Sequence, residues 1–275
     1  MTTRIHPTAL VDPKAELGEG VCIGPYCVVD AKVRLGAGTV LESFVRVADY
    51  VEVGENCRLF DHVVLGRPPQ DFGFREEETW VRIGNGVTCR ENVTIHRASG
   101  EGHETRVGEG CYLMEGCHLG HNVVLGNHCV LANKVGLAGY AQAGDRVTFG
   151  GMAGVHQFVH IGRACMVGGL SKIIKDVPPF CMVDGRPGRI HGLNKVGLRR
   201  QGFDAAARRH LQDLFESLRT GSLPLRQGLA DLATRNPEDP YARELLDFSR
   251  QCTRGWTPWA ERRRGRGAPP EEAVE

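Results

Sequence analysis

The stretch VGEGCYLMEGCHLGHNVVLGNHCVLANKVGLAGYAQAGDRVTFGGMAGVHQFVHIGRACMVGGLSKIIKD, Val107 to Asp176, repeats every six residues. Val107, Leu113, Leu119, Leu125, Leu131 and Leu137 begin a series of anchors that continues through Phe149, Val155 and Ile161 to Ile173. A helix of period 3.6 cannot hold every sixth residue on one side, and a plain strand of period 2 needs no turn residue so often. The fourth residue after each anchor is again small or β-branched, as at Cys111, Cys117, Val123, Cys129 and Val135. Each hexad therefore reads as a short strand with two inward side chains and a Gly, Asn or Asp corner. Stacked hexads make a parallel β-solenoid, and three flat faces per turn make a triangular prism with eighteen residues to a coil.

Working outward toward the N-terminus, the same frame runs through Ile5, Val11, Leu17, Ile23, Val29 and Leu35 to Leu65. Gly18, Gly24, Gly36 and Gly54 follow their anchors, where a corner is expected to demand backbone angles that glycine tolerates. Two excursions interrupt the frame, RPPQDFGFREEETWVR from Arg67 to Arg82 and RASGEGHETR from Arg97 to Arg106. Long excursions from a regular scaffold carry function more often than packing. Toward the C-terminus the frame stops at DVPPF, Asp176 to Phe180. The chain is expected to divide into a β-helix over 1–183, a linker over 184–202, a helical domain over 203–254 and a disordered tail over 255–275. Asp204, Ser222 and Asp239 with Pro240 are candidate helix starts. Arg262, Arg263, Arg264 and Arg266 read as part of the solvated tail.

Bulk composition narrows the function classes. The 275 residues carry a net charge of +1, 41% hydrophobic and 24% charged, with no dominant basic surface for nucleic acid. No window approaches the roughly 18 apolar residues of a membrane span, and no apolar run follows a basic start, so a cytoplasmic protein is expected. Of the ten cysteines, Cys27, Cys57, Cys111, Cys117, Cys129 and Cys165 occupy the small inward position, which makes them core residues rather than disulfide or metal partners.

On the uninterrupted coils spacing becomes geometry. His121, Gly139 and Gln157 are eighteen apart and stack on one edge at about 4.8 Å per coil, with His156 beside Gln157 and Tyr140 above Asn122. His118 lies near the preceding corner. An imidazole beside a backbone N–H can take a proton from a hydroxyl while the N–H holds an oxyanion, which suits acyl transfer. Surface or stacking histidines and a zinc site are the competing readings. Against zinc, the pairs His118/His121 and His156/His160 lie three and four apart, and no third His has a compatible stack.

HLGHNVVLGN (His118 to Asn127), LAGY (Leu137 to Tyr140), GGMAGVHQF (Gly150 to Phe158), MVGG (Met166 to Gly169), KDVPPF (Lys175 to Phe180) and LRRQGF (Leu198 to Phe203) form a set far more specific than the hexads. With QD at Gln70 and Asp71 and VTIHR at Val93 to Arg97, the chain over roughly 1–255 resembles the acyl-[acyl-carrier-protein]–UDP-N-acetylglucosamine O-acyltransferases of lipid A biosynthesis. The sister N-acyltransferases carry an extra N-terminal domain, whereas hexads here begin at Ile5. The resemblance implies a left-handed β-helix with a C-terminal helical domain, assembled as a homotrimer with sites between subunits and needing no cofactor. It implies His121 as general base and the Gly139 N–H as the carbonyl-polarising donor. Asp71 and His118 would hold the sugar, and His156, Gln157, Asn194 and Arg200 the nucleotide and its diphosphate. Met166 and Gly169 would measure the acyl chain, and Arg208 and Arg209 would help dock the acidic acyl carrier protein. Four positions depart from the family pattern: Gly73 where many members have Lys, Asn122 where Asp is common, Tyr140 for His, and Gln201 for the second Arg of RRGF. A paralogue acting on another nucleotide sugar, and a non-catalytic nucleotide-sugar-binding trimer, are the alternatives.

Overall fold

The computed structural model describes residues 2–221 and 223–261. Strands mostly of two to four residues alternate with tight corners and stack into three sheets, parallel but for the last strand of face I, which are the faces of a left-handed prism. Face I begins at Arg4–Ile5 and holds eleven strands, face II begins at Leu10–Val11 with nine, and face III begins at Glu16–Leu17 with eight. The register advances by eighteen: Arg4 pairs with Cys22, Leu10 with Val28 and Glu16 with Arg34. At the excursions the step lengthens, so that Val64 pairs with Thr94 and Thr94 with His118. Both excursions leave the prism between a face II strand (Val64–Arg67, Thr94–His96) and a face III strand (Trp80–Ile83, Glu104–Val107), at the II–III edge.

The anchors and the small positions fill the interior, with Leu65, Ile95, Leu113, Leu119, Leu131 and Phe149 fully buried. The six cysteines of the inward position are buried free thiols. Burial of each large aliphatic side chain stabilises the fold by about 1.5–3 kcal/mol, and the lengthwise stacking makes that core continuous.

The glycines after the anchors act for a different reason from the one their spacing suggests. Left-handed corner angles belong mostly to other residues, among them Tyr26, Phe44, His62, Asn122, Tyr140 and Phe158 with φ of 57–63°. A Cβ on Gly18, Gly24, Gly36 or Gly54 would instead lie 2.4–2.6 Å from backbone or side-chain atoms of the next coil. Close approach, not conformational freedom, selects glycine there. The corner residues with positive φ, each costing about 1–2 kcal/mol, are held by inter-coil bonds such as Tyr140 N–H to His121 C=O at 2.9 Å.

At the C-terminal end the strands Cys181–Gly185 and Gly188–Leu193 form an antiparallel hairpin on face I, turning through a cis Arg186–Pro187 bond. Helix α1 (Lys195–Arg200) follows, and α2 (Ala205–Thr220) starts where Asp204 accepts the Ala207 N–H at 2.7 Å. Helix α3 (Leu225–Arg235) begins after Pro224; Ser222 lies outside the described residues. Asp239 caps α4 (Pro240–Gln251) through the Tyr241 N–H. Helix α4 is tied to the prism by a bidentate Arg163–Glu244 pair at 2.7 and 2.8 Å. The chain then runs back over the coil end, where the buried Asp176 accepts the N–H groups of His160 and Arg254, and Trp256 and Trp259 bridge to Asp176 and Ile190. The arginines from Arg262 onward lie outside the described residues.

Candidate active site

His121 occupies the II–III edge, the same edge from which both excursions leave. Its Nδ1 lies 2.9 Å from Oδ1 of Asn122. The Asn122 amide is itself oriented, because its Nδ2 donates to the Ser99 carbonyl at 3.0 Å and its Oδ1 accepts the Ser99 N–H at 2.9 Å. An amide oxygen only accepts, so the imidazole proton sits on Nδ1 and Nε2 keeps a free lone pair. That nitrogen faces the next coil at Gly139, where a Cβ would stand 2.4 Å from Nε2. Only glycine leaves room for the ring.

The Gly139 N–H has a second property. At the same repeat position on the III–I edge, the N–H groups of Glu109 and Asn127 are capped by Oδ1 of Asn127 and Asp145, at 2.9 and 2.7 Å. Gln157, one coil beyond Gly139, gives it no such cap among the described residues. A bare imidazole nitrogen and an uncapped backbone donor therefore stand side by side, the pair that proton abstraction with oxyanion stabilisation requires.

Aromatic rings wall this corner. Tyr140 meets His121 edge-on at 5.2 Å and stacks on Phe158 at 4.8 Å. On the adjoining outer surface of face II, His118 Nδ1 bonds Thr94 Oγ1 at 2.7 Å and its ring meets His96 at 4.9 Å. Burial holds the His118 imidazole below its ordinary range, and burial, with the nearby His118, His121 and Arg67, pushes His96 down to about 4. Gly136 and Gly154 continue the face beside His118, with nothing within 4 Å of a would-be Cβ. The floor next to the histidines is open.

Asp71 comes from the first excursion. Its carboxylate accepts the Gly73 N–H at 2.9 Å. That bond first, then the Ser99 hydroxyl and the Arg75 guanidinium, hold it below the usual carboxylate range. Gly73 thus serves Asp71 through its backbone, and the Arg75 guanidinium folds back onto the carbonyls of Phe72 and Phe74.

The remaining candidates are dispersed within one chain. His156 and Gln157 are exposed, one coil from Gly139 on the same edge. Met166 pairs with Thr148 on face I and Gly169 lies at the I–II edge, across face II from His121. Asn194 is 8% exposed and serves as the cap of α1, accepting the Gly197 N–H at 3.0 Å and donating to the Ala164 carbonyl at 3.0 Å. Arg200 is exposed at the end of α1, beside the III–I edge, where Gln201 Nε2 reaches the Arg146 carbonyl. His121, Gly139 and Asp71 gather at one edge; Gly169 and the Asn194–Arg200 segment stand at the other two. Ser99, Thr105 and Thr94 also belong to the His121 corner, and no repeat position marks them. Ser99 lies in an excursion with no repeat position, and the two threonines look like ordinary strand residues. Among the described residues no three His, Cys, Asp or Glu side chains converge as a metal-ligand set.

A triangular coil of hexads with an imidazole and a free N–H on one edge defines a hexapeptide-repeat transferase. Residues 104–139 match the family model of bacterial transferase hexapeptides, and residues 176–257 match that of domain 2 of UDP-N-acetylglucosamine O-acyltransferases. The acyl-[acyl-carrier-protein]–UDP-N-acetylglucosamine O-acyltransferase of Synechocystis is 40% identical over 248 residues, 90% of each chain. That of Thermodesulfovibrio yellowstonii is 40% identical over 253 residues, 91% of this chain and 98% of its own. The structure superposes on the UDP-N-acetylglucosamine acyltransferase of Campylobacter jejuni with a TM-score of 0.87 at 32% identity, covering 94% of this chain and all of the other. The chain belongs to the acyl-[acyl-carrier-protein]–UDP-N-acetylglucosamine O-acyltransferase family.

Proposed function

We propose that the protein transfers a (hydroxy)acyl group from acyl carrier protein to the 3-position of UDP-N-acetylglucosamine, the first step of lipid A biosynthesis. The observation that carries the reading is the bare Nε2 of His121 against the uncapped N–H of Gly139. Nε2 takes the proton of the sugar 3-hydroxyl as its oxygen bonds to the thioester carbonyl carbon. The carbonyl oxygen gathers negative charge, and the Gly139 N–H stabilises it. Collapse breaks the C–S bond, and the proton on His121 passes to the departing thiolate of the carrier. Asp71, ionised over the working range, accepts hydrogen bonds from sugar hydroxyls, with His118 beside it.

The dispersal of the other candidates supports a homotrimer with sites shared between copies. A site between copies would bring the I–II edge of one subunit, with Met166 and Gly169 against the acyl chain, to the II–III edge of its neighbour. His156, Gln157, Asn194 and Arg200 would then serve the nucleotide and diphosphate, with Asn194 acting by holding α1 because its side chain is occupied. Arg208 and Arg209 on α2 are joined as docking charges for the carrier by Lys172, Lys175 and Arg189, which have no ion-pair partner among the described residues. We place the reaction in the cytoplasm. No helix among the described residues is long and apolar enough to cross a membrane.

Purified protein incubated with a series of acyl and hydroxyacyl carrier-protein thioesters and a panel of nucleotide sugars tests the reading. Product on UDP-N-acetylglucosamine is expected. Product on another sugar alone would identify a paralogue, and no product on any sugar a binding protein. A monomeric mass at micromolar concentration in sedimentation would remove the shared site.

A further inference from the structure

We propose that Asn122 is a positioning residue with two linked tasks, setting the tautomer of His121 and clamping the second excursion to the base through the backbone of Ser99. The catalytic half rests on the reading of His121 as general base; the structural half does not. Asn122 sits at φ +59°, a left-handed angle that Asn tolerates better than most residues, and is only 8% exposed. Its side-chain amide pairs with Ser99 in both directions, in the manner of two strands, while its own N–H donates to Thr105 Oγ1 at 2.9 Å. The remaining lone pair of Oδ1 is aimed at His121 Nδ1. Every polar atom of Asn122 except its carbonyl is thereby committed to the base corner.

An aspartate has the same shape and would also orient the ring, but it would set a carboxylate oxygen against the Ser99 carbonyl, where the amide now presents a donor. The loop, not the base, therefore requires a neutral amide at 122. The clamp also bears on Asp71, whose carboxylate the Ser99 hydroxyl helps to hold below the usual range. One residue thus ties the proton acceptor to the excursion whose Ser99 bears on the carboxylate. Loss of the clamp should affect the acceptor side of the site as well as the base.

The test uses the full chain, labelled with ¹⁵N in histidine and backbone, without substrate. In the native protein the His121 ring should show a protonated Nδ1 and a bare Nε2, and the Ser99 amide should exchange slowly with solvent. Asn122→Ala should lose both signatures. Asn122→Asp should keep the Nδ1–H form but lose Ser99 protection. In turnover, Asn122→Asp should raise KM for the acceptor sugar by about tenfold, the worth of one hydrogen bond, with a smaller change in kcat, whereas Asn122→Ala should lower kcat as well. A native ring protonated on Nε2 overturns the tautomer half, and Ser99 protection retained in Asn122→Asp overturns the clamp. Absence of turnover with both native signatures intact would instead reject the proposed reaction and leave the clamp standing.

Discussion

Along the III–I edge the residue after each face III anchor is glycine in coil after coil: Gly18, Gly36, Gly54, Gly84, Gly108, Gly126, Gly144 and Gly162. At each of them a Cβ would come within 2.4–2.8 Å of the next coil. The same repeat position on the II–III edge reads Asp12, Asp30, Ala48, Gly66, His96, Gly120, Ala138 and His156. One edge is a closed seam in which each coil rests on the next and Asn or Asp side chains cap its corner N–H groups. The other is relaxed enough to release both excursions, admit imidazole rings and leave the Gly139 N–H uncapped. The proposed site lies where the repeat stops satisfying itself, and the closed seam holds that edge in register.

The comparison breaks most readily at its functional end. His121→Ala should lower turnover by about 10²- to 10⁴-fold, the usual worth of a positioned general base, while melting near the native protein. His128→Ala, on the III–I edge beside Gly110, should leave turnover within about twofold, as expected of a side chain away from the chemistry. Near-full activity in the first variant would refute the assignment of the base. Gly139→Ala comes next. Its methyl group must push the His121 ring aside, and a displacement of this kind costs about 10²-fold in kcat. Because the obstacle is a side chain that can turn, melting should shift little; equal losses of activity and stability would argue that Gly139 belongs to the scaffold.

At the other edge the sign of the trade reverses. Gly126→Ala meets the Gly144 carbonyl carbon at 2.6 Å and should cost about 1–3 kcal/mol of stability, read from thermal or urea melting. Gly136→Ala, with open space around it, should stay within about 0.5 kcal/mol. Identical melting of the two variants would mean that the seam is not tight.

The smallest effect concerns His96, whose Nδ1 is buried without a partner and whose folded form titrates at about 4. The unfolded chain takes up this proton near 6.5, so between the two values it binds more protons than the folded chain, and stability falls as pH drops through that window. On the order of 1 kcal/mol should be lost between pH 7 and pH 5. His96→Gln should flatten that part of the stability profile. An unchanged slope would mean that the relaxed edge does not bury the ring.

The prism, its eighteen-residue coil and both excursions were legible in the hexad anchors, as were the caps at Asp204 and Asp239. The shared column of His121, Gly139 and Gln157 was legible for the same reason. The role of the seam glycines was not, because close approach between coils and freedom of φ select the same residue. Ser99 was equally hidden. It lies in an excursion that keeps no period, and the bond that gives it meaning is to a residue twenty-three positions away.

What the sequence by itself determined is which residues share a face and an edge, since a repeat of constant length converts position into height along the prism. What only the tertiary structure decided is which atoms those residues turn toward one another: His121 Nδ1 toward Asn122 Oδ1, Nε2 against Gly139, and the two hydrogen bonds between the Asn122 side-chain amide and the Ser99 backbone. Side-chain torsions and the return path of an irregular loop answer to local packing and hydrogen bonding, which no period encodes. The same holds for Asn194 and Arg200, whose places depend on how the hairpin and α1 close the end of the coil, whereas the places of Met166 and Gly169 follow from the eighteen-residue step.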